Sequence, residues 1–254
     1  MNFFDHAILF MVSFVANAFS AFSGGGAGLI QFPILIFLGL PFTVALATHK
    51  VASVALGIGA TARHSREGSL NPFFSLYILS AGLPAVVLGA RTILYVPDQI
   101  ATFALGLLTS ALGIYSWRHP SLGQQARYRN RDAKGLVIGA LGLFFIGFIN
   151  GTLTSGSGLF VTIWLVRWFG FDYLLAVAHT MILVGLFWNA TGAITLGMLG
   201  NIEWSWIPAL LIGATSGAYF GSHLAIHAGN RWIKRGFEIV TITIGVKLMF
   251  DVYA

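Results

Sequence analysis

The chain has 254 residues, of which 57% are hydrophobic and only 9% charged, with a mean hydropathy of +0.83. A water-soluble domain carries about 25% charged residues, so no soluble fold fits. The absence of cysteine excludes disulfides, thiolate nucleophiles and Cys-ligated metals. A pI near 9.9 would suit nucleic acid, but the basic residues lie between apolar runs, as in the cytoplasmic loops of a membrane protein, and no nucleic-acid partner is expected.

Apolar segments run over roughly 4–22, 29–40, 43–62, 73–96 and 98–117, then after a polar stretch over 135–149, 159–169, 172–198, 204–222 and 236–252. A bilayer takes roughly 20 residues per crossing helix, so the fold class is an all-α polytopic membrane protein. Residues 7–22, with Ala16-Asn17-Ala18, resemble a signal-peptide core. A signal peptide wants a basic start, however, and no Lys or Arg precedes Lys50, so this segment reads as the first membrane helix.

One stretch occurs twice. Phe22-Ser-Gly-Gly-Gly-Ala-Gly28 and Asn150-Gly-Thr-Leu-Thr-Ser-Gly-Ser-Gly158 each interrupt an apolar segment with residues that sustain a helix poorly. Exposed to lipid, such a break leaves amides and carbonyls unpaired, so it belongs in protein or beside a watery cavity. Matching breaks in two halves point to the binding site of a transporter.

The halves overlay. Gly28 matches Gly158, Gly39-Leu-Pro-Phe matches Gly170-Phe-Asp-Tyr, and Ala45-Leu-Ala-Thr-His-Lys50 matches Ala176-Val-Ala-His-Thr-Met181. Gly68-Ser-Leu-Asn71 matches Gly200-Asn-Ile-Glu203, and Gly113 matches Gly245, the offset drifting only from 130 to 132 residues. The expected organisation is a first transmembrane repeat over 1–118, a cytoplasmic linker over 119–134 and a second repeat over 135–254, with broken or re-entrant helices at the breaks.

Eleven of the fourteen Lys and Arg fall in four regions: Arg63/Arg66, the stretch 118–134, Arg167, and Arg231/Lys234/Arg235. Matched loops differ in sign. Loop 63–71 is basic while 199–204 holds only Glu203, and 223–235 is more basic than 91–98. Such a reversal suits halves inserted in opposite directions, with both termini outside and the linker inside. The linker reads as a solvated loop beside anionic headgroups, and Trp117, Trp204, Trp206 and Trp232 as an aromatic belt.

The candidate substrate-binding residues come from these breaks and from the polar positions deep in apolar segments. Lys50 lies eight residues into its segment, about 12 Å deep at 1.5 Å per residue. A charge near the bilayer centre costs at least ~2.5–3.5 kcal/mol. It either meets an anionic substrate, caps carbonyls at the first break, or snorkels if its segment starts later. His49 and His179 occupy neighbouring places in the two repeats; each either contacts an anion and carries a proton, or packs helices. Ser23, Gly24, Gly25 and Gly26 in the first break, and Ser155, Gly156 and Ser157 in the second, precede short helices. The amides at such helix starts attract anions. Asn17, Asn150, Thr48, Thr180 and Asn189 are further polar candidates in apolar surroundings. No Asp or Glu lies at mid-depth, which argues against carboxylate relays and sodium sites, and no metal or other cofactor is expected.

This pattern resembles the TauE/SafE family of sulfite and organosulfonate exporters. The resemblance rests on Gly24-Gly-Gly-Ala-Gly28 with Phe32-Pro33, on Ala45-Leu-Ala-Thr-His49, and on the Gly68-Ser-Leu-Asn71 turn. Ser155-Gly-Ser-Gly158 and Ala176-Val-Ala-His-Thr180 echo them in the second half. It implies a carrier in the bacterial inner membrane that exports a small anion, sulfite or an organosulfonate such as sulfoacetate, rather than an enzyme. The expected partners are that anion and the lipid bilayer, and the reading allows proton coupling and a homodimer. The rival readings are a passive anion channel and an intramembrane serine hydrolase built on Ser157 and His179. The hydrolase motif wants glycine two before the serine, where this chain has Ser155.

Overall fold

Helix α1 (Phe3–Ser23) and the short α2 (Ala27–Phe37) form a hairpin around the first glycine break, pinned by a 3.1 Å bond from Asn17 Nδ2 to Gln31 Oε1. Helix α6 (Ala133–Leu153) and α7 (Ser157–Trp168) do the same around the second. There the indole N–H groups of Trp164 and Trp168 donate to the carbonyls of Gly139 and Gly135, so α7 returns to the end from which α6 set out. The computed structural model describes residues 3–64, 70–92, 98–153, 157–199 and 202–251. Arg66, Gly68, Ser69, Ser155, Gly156, Gly200 and Asn201 therefore lie outside the described residues.

The remaining described elements are also helical: α3 (Phe42–His64), α4 (Pro72–Thr92), α5 (Asp98–Arg118), α10 (Ile207–Ala228) and α11 (Asn230–Asp251). Between α7 and α10 runs one 27-residue rod over Tyr173–Leu199. It begins as α8 (Tyr173–His179), whose start is capped by the Asp172 carboxylate accepting from Leu175 N at 2.8 Å. It then takes π-helical turns over Thr180–Trp188 and ends as α9 (Asn189–Leu199). Among the described residues, six helices, counting this rod as one, are long and apolar enough to cross a membrane. Leu76, Phe145, Ile194 and Ile212 stand exposed on outer faces, as a lipid-facing surface requires. The molecule is an all-α polytopic membrane protein.

Small residues set how the helices meet. Gly213, Gly217 and Gly221 of α10 lie against Phe10, Phe14 and Ala18 of α1, in rising order, so the two helices run parallel. Gly139, Gly147 and Gly151 of α6 meet Tyr77, Gly82 and Val86 of α4 in the same rising order. Helix α3 also climbs alongside α10, from Thr48 beside Glu203 to Gly59 beside Thr215 and Arg63 beside His223. Along the Tyr173–Leu199 rod α3 runs in falling order, Lys50 at Asn189 and Gly57 at Gly185, whereas α4 runs in rising order, Asn71 at His179 and Gly82 at Trp188, so α4 opposes α3 and α6 runs opposite to α1. The first helix of each half packs on the fourth of the other, while α5 packs on α11 and α3 on the π-helical turns.

The linker differs from the solvated loop expected of it. Its charged side chains are exposed, but its backbone is strapped to the turn after α7. Gly170, at φ 72°, turns the chain there, and the carbonyls of Gly170 and Phe169 accept from Arg127 N at 2.7 Å and Arg129 N at 3.2 Å. Tyr173 N returns a bond to Gly123 O at 2.9 Å. Arg131 stacks over the Tyr128 ring at 3.8 Å. Carbonyls left over at the end of α7 supply the partners that would otherwise have been water.

Candidate functional site

The tips of the two hairpins touch. Gly24, Gly25 and Gly26 take φ of 91°, 146° and 102°, a left-handed run that side-chain-bearing residues adopt only under strain. It lets the chain double back from α1 into α2. At Gly25 close approach is also required, because a methyl group there would come within 2.4 Å of the Leu159 amide nitrogen. Thr162 of α7 donates its hydroxyl to Gly24 O at 2.7 Å and lies 3.0 Å from the Thr180 hydroxyl. Gly57 of α3 and Gly185 of the π-helical turns cross nearby, again with no room for a side chain.

A cavity of about 40 Å³ lies beside this crossing. Water needs roughly 10–15 Å³ of such space, so the cavity has room for about three or four molecules. Gly25, Gly26, His49, Asn150, Ser157 and Asn189, all expected from the sequence, line it. No Asp or Glu is among its described lining residues. Ser20, Ser53 and Met181 also line it. Ser53 could have been found, since it stands one turn after His49 on the same helix face. Its hydroxyl lies 3.2 Å from His49 Nε2, while the buried Nδ1 of His49 has no partner among the described residues.

Lys50 stands behind the cavity and is wholly buried. All three of its donors are used: Asn150 O at 2.9 Å, Asn150 Oδ1 at 2.7 Å and Asn189 Oδ1 at 3.3 Å. The ammonium thus covers a carbonyl in the last turn of α6, where the helix dipole favours a cation. It also orients two amides that line the cavity, and Asn150 Nδ2 in turn donates to Ser157 Oγ at 2.6 Å. The carbonyl it covers belongs to the second break, whereas sequence reading offered the first.

The other candidates stand elsewhere. Thr48 Oγ1 accepts from Glu203 N at 3.0 Å, and His179 Nε2 accepts from Asn71 N at 3.2 Å, so both anchor connecting segments. His179 Nδ1 donates to Leu175 O at 2.9 Å, which leaves neither ring nitrogen for Ser157, and the dyad of the hydrolase reading is not formed. Ser23 ends α1, and its hydroxyl donates back to Phe19 O at 2.8 Å instead of capping α2, whose N-cap is Gly26. Ser155 and Gly156 fall outside the described residues. Among the described residues, no three His, Cys, Asp or Glu side chains are grouped to hold a metal.

The family model for the sulfite exporter TauE/SafE family matches residues 9–248, nearly the whole chain. The chain belongs to the TauE/SafE family. A probable membrane transporter protein of Haemophilus influenzae is 29% identical over 246 residues, covering 96% of this chain and 94% of its own length. The probable membrane transporter protein YfcA of Escherichia coli is 28% identical over 248 residues, covering 96% and 89%. YjnA of Bacillus subtilis, also described as a probable membrane transporter protein, is 24% identical over 261 residues, covering 96% and 99%. No solved structure matches the chain. This TauE/SafE protein is a membrane transporter, a multi-pass protein of the bacterial inner membrane.

Proposed function

We propose that the protein is a secondary carrier exporting a small anion, sulfite or an organosulfonate such as sulfoacetate, through the cavity where the two breaks meet. The observation that carries this reading is the lopsided charge at the crossing. Lys50 brings a full positive charge to one side, and Met181 holds the equivalent place in the second half. No described carboxylate lines the cavity to balance it. An anion suits that field and a cation does not. Hydroxyls, amides and the unpartnered His49 Nδ1 can donate to its oxygens, and a carried proton has His49 as its nearest seat.

At about 40 Å³ the cavity is too small for a sulfonate, and it must widen to take one. Opening one side at a time would make the protein a carrier. Flux of sulfite or sulfoacetate into proteoliposomes tests this: it should saturate with concentration, whereas a passive channel would give linear flux. Lys50→Met copies the second half's residue and removes the charge while keeping the stem. It should bind the anion more weakly by about 1 kcal/mol, because the positive charge behind the cavity and the hold on Asn150 and Asn189 are both lost. Wild-type affinity in a well-folded variant would take Lys50 out of the site.

A further inference from the structure

A second cavity, of about 610 Å³, opens on the basic face between the end of α5, the linker and the end of α7. Three arginines line it, Arg127, Arg129 and Arg167, together with His119. No carboxylate is among its described lining residues. Asp172, which follows the lining residue Phe171, caps α8, and Glu238 pairs with Lys234. The frame is built. Backbone bonds to Phe169 and Gly170 hold the linker that carries Arg127 and Arg129. Arg167 Nε donates to the Tyr115 hydroxyl, and His119 Nδ1 donates to Tyr115 O at 2.8 Å. Like charges gathered without a counter-ion repel one another, and a bound dianion relieves that repulsion.

We propose that this cavity is a second anion site, for a ligand bearing a phosphate group. Planar guanidinium forks match phosphate oxygens in pairs, and three of them suit a dianion or a phosphate ester better than a monoanion. The volume falls in the range of organic-ligand pockets, far above that of the central cavity. Because its walls come from α5, the linker and α7, a bound phosphate braces the two halves against each other. The phosphate can belong to a soluble ligand or to a lipid headgroup at the membrane surface.

The test uses the purified full chain with two probes: inorganic pyrophosphate in detergent, and nanodiscs of phosphatidylcholine with or without phosphatidylglycerol. At least one probe should raise the thermal midpoint of the wild type. A response to pyrophosphate assigns a soluble ligand, and a response to phosphatidylglycerol alone assigns the lipid. The triple variant Arg127→Gln/Arg129→Gln/Arg167→Gln should lose the response. Arg231→Gln/Arg235→Gln, which removes charge elsewhere on the same face, should keep it, as should Lys50→Met. If the triple variant does not fold, Arg129→Gln alone should weaken the responding probe about tenfold, the loss of one charged contact. No response in the wild type, or an undiminished response in these arginine variants, overturns the proposal.

Discussion

Thr48 and His179 occupy equivalent places in the two halves, and each accepts a backbone N–H from the other half's equivalent turn, Glu203 and Asn71 respectively. Different chemistry therefore does one job twice. The substitution Thr48→Val or His179→Ala leaves a part-buried amide without its partner and should cost about 0.5–1.5 kcal/mol of stability each. Both should lower the thermal midpoint while substrate affinity in the surviving protein stays near wild type. His49→Phe should do the reverse: the larger ring fills the cavity and abolishes flux with a smaller change in midpoint. A His179→Ala protein that keeps its midpoint but loses substrate binding would move His179 back into the site. Sequence alone could not separate the two histidines, because both stand in matching segments. Only the backbone that each one faces tells them apart.

At the scale of elements, the breaks were legible as breaks because glycine clusters are rare inside apolar helices. That the tips touch was not, since contact between Gly25 and Leu159 depends on how two hairpins dock. The π-helical turns over Thr180–Trp188 carry no compositional sign either; that run reads as ordinary apolar helix. Lys50 was legible as an expensive charge, but its partners Asn150 and Asn189 lie 100 and 139 residues away. Two glycines at positive φ, Gly39 and Gly25, separate strain from contact. Gly39 takes φ 102° with open space around it, so Gly39→Ala should cost only the left-handed strain, about 1–2 kcal/mol. Gly25→Ala adds a collision with backbone and should yield no monodisperse protein in size-exclusion chromatography. Equal yields from the two variants would show that the tips do not meet in the membrane.

For the whole molecule, we read the duplicated chain as an inverted repeat, over 1–118 and 135–254. The opposite directions of α1 and α6 and the reciprocal packing of first and fourth helices support it. Basic residues of α3, the linker, α7 and α11 then share the cytoplasmic side. A reporter active only in the periplasm should work when fused after Ala254 and stay silent when inserted near Gln125. Both positions reporting the same side would overturn the orientation. In the sequence, that reading rests on the offset of the repeat and the signs of its loops. The linker's attachment to α7 was hidden, because backbone bonds leave no trace in residue type.

The pairing of α1 with α10 also bears on how the chain is made. Ser13 donates its hydroxyl to Leu210 O at 2.7 Å, across 197 residues of sequence. At roughly 5–20 residues per second, the ribosome delivers that partner roughly 10–40 s after Ser13 itself. Until then, Ser13 on α1 lacks the partner that α10 gives the finished protein. The insertion machinery, or a neighbouring helix serving as a stand-in, must shelter that hydroxyl through the wait. Slowing translation between the two halves lengthens it.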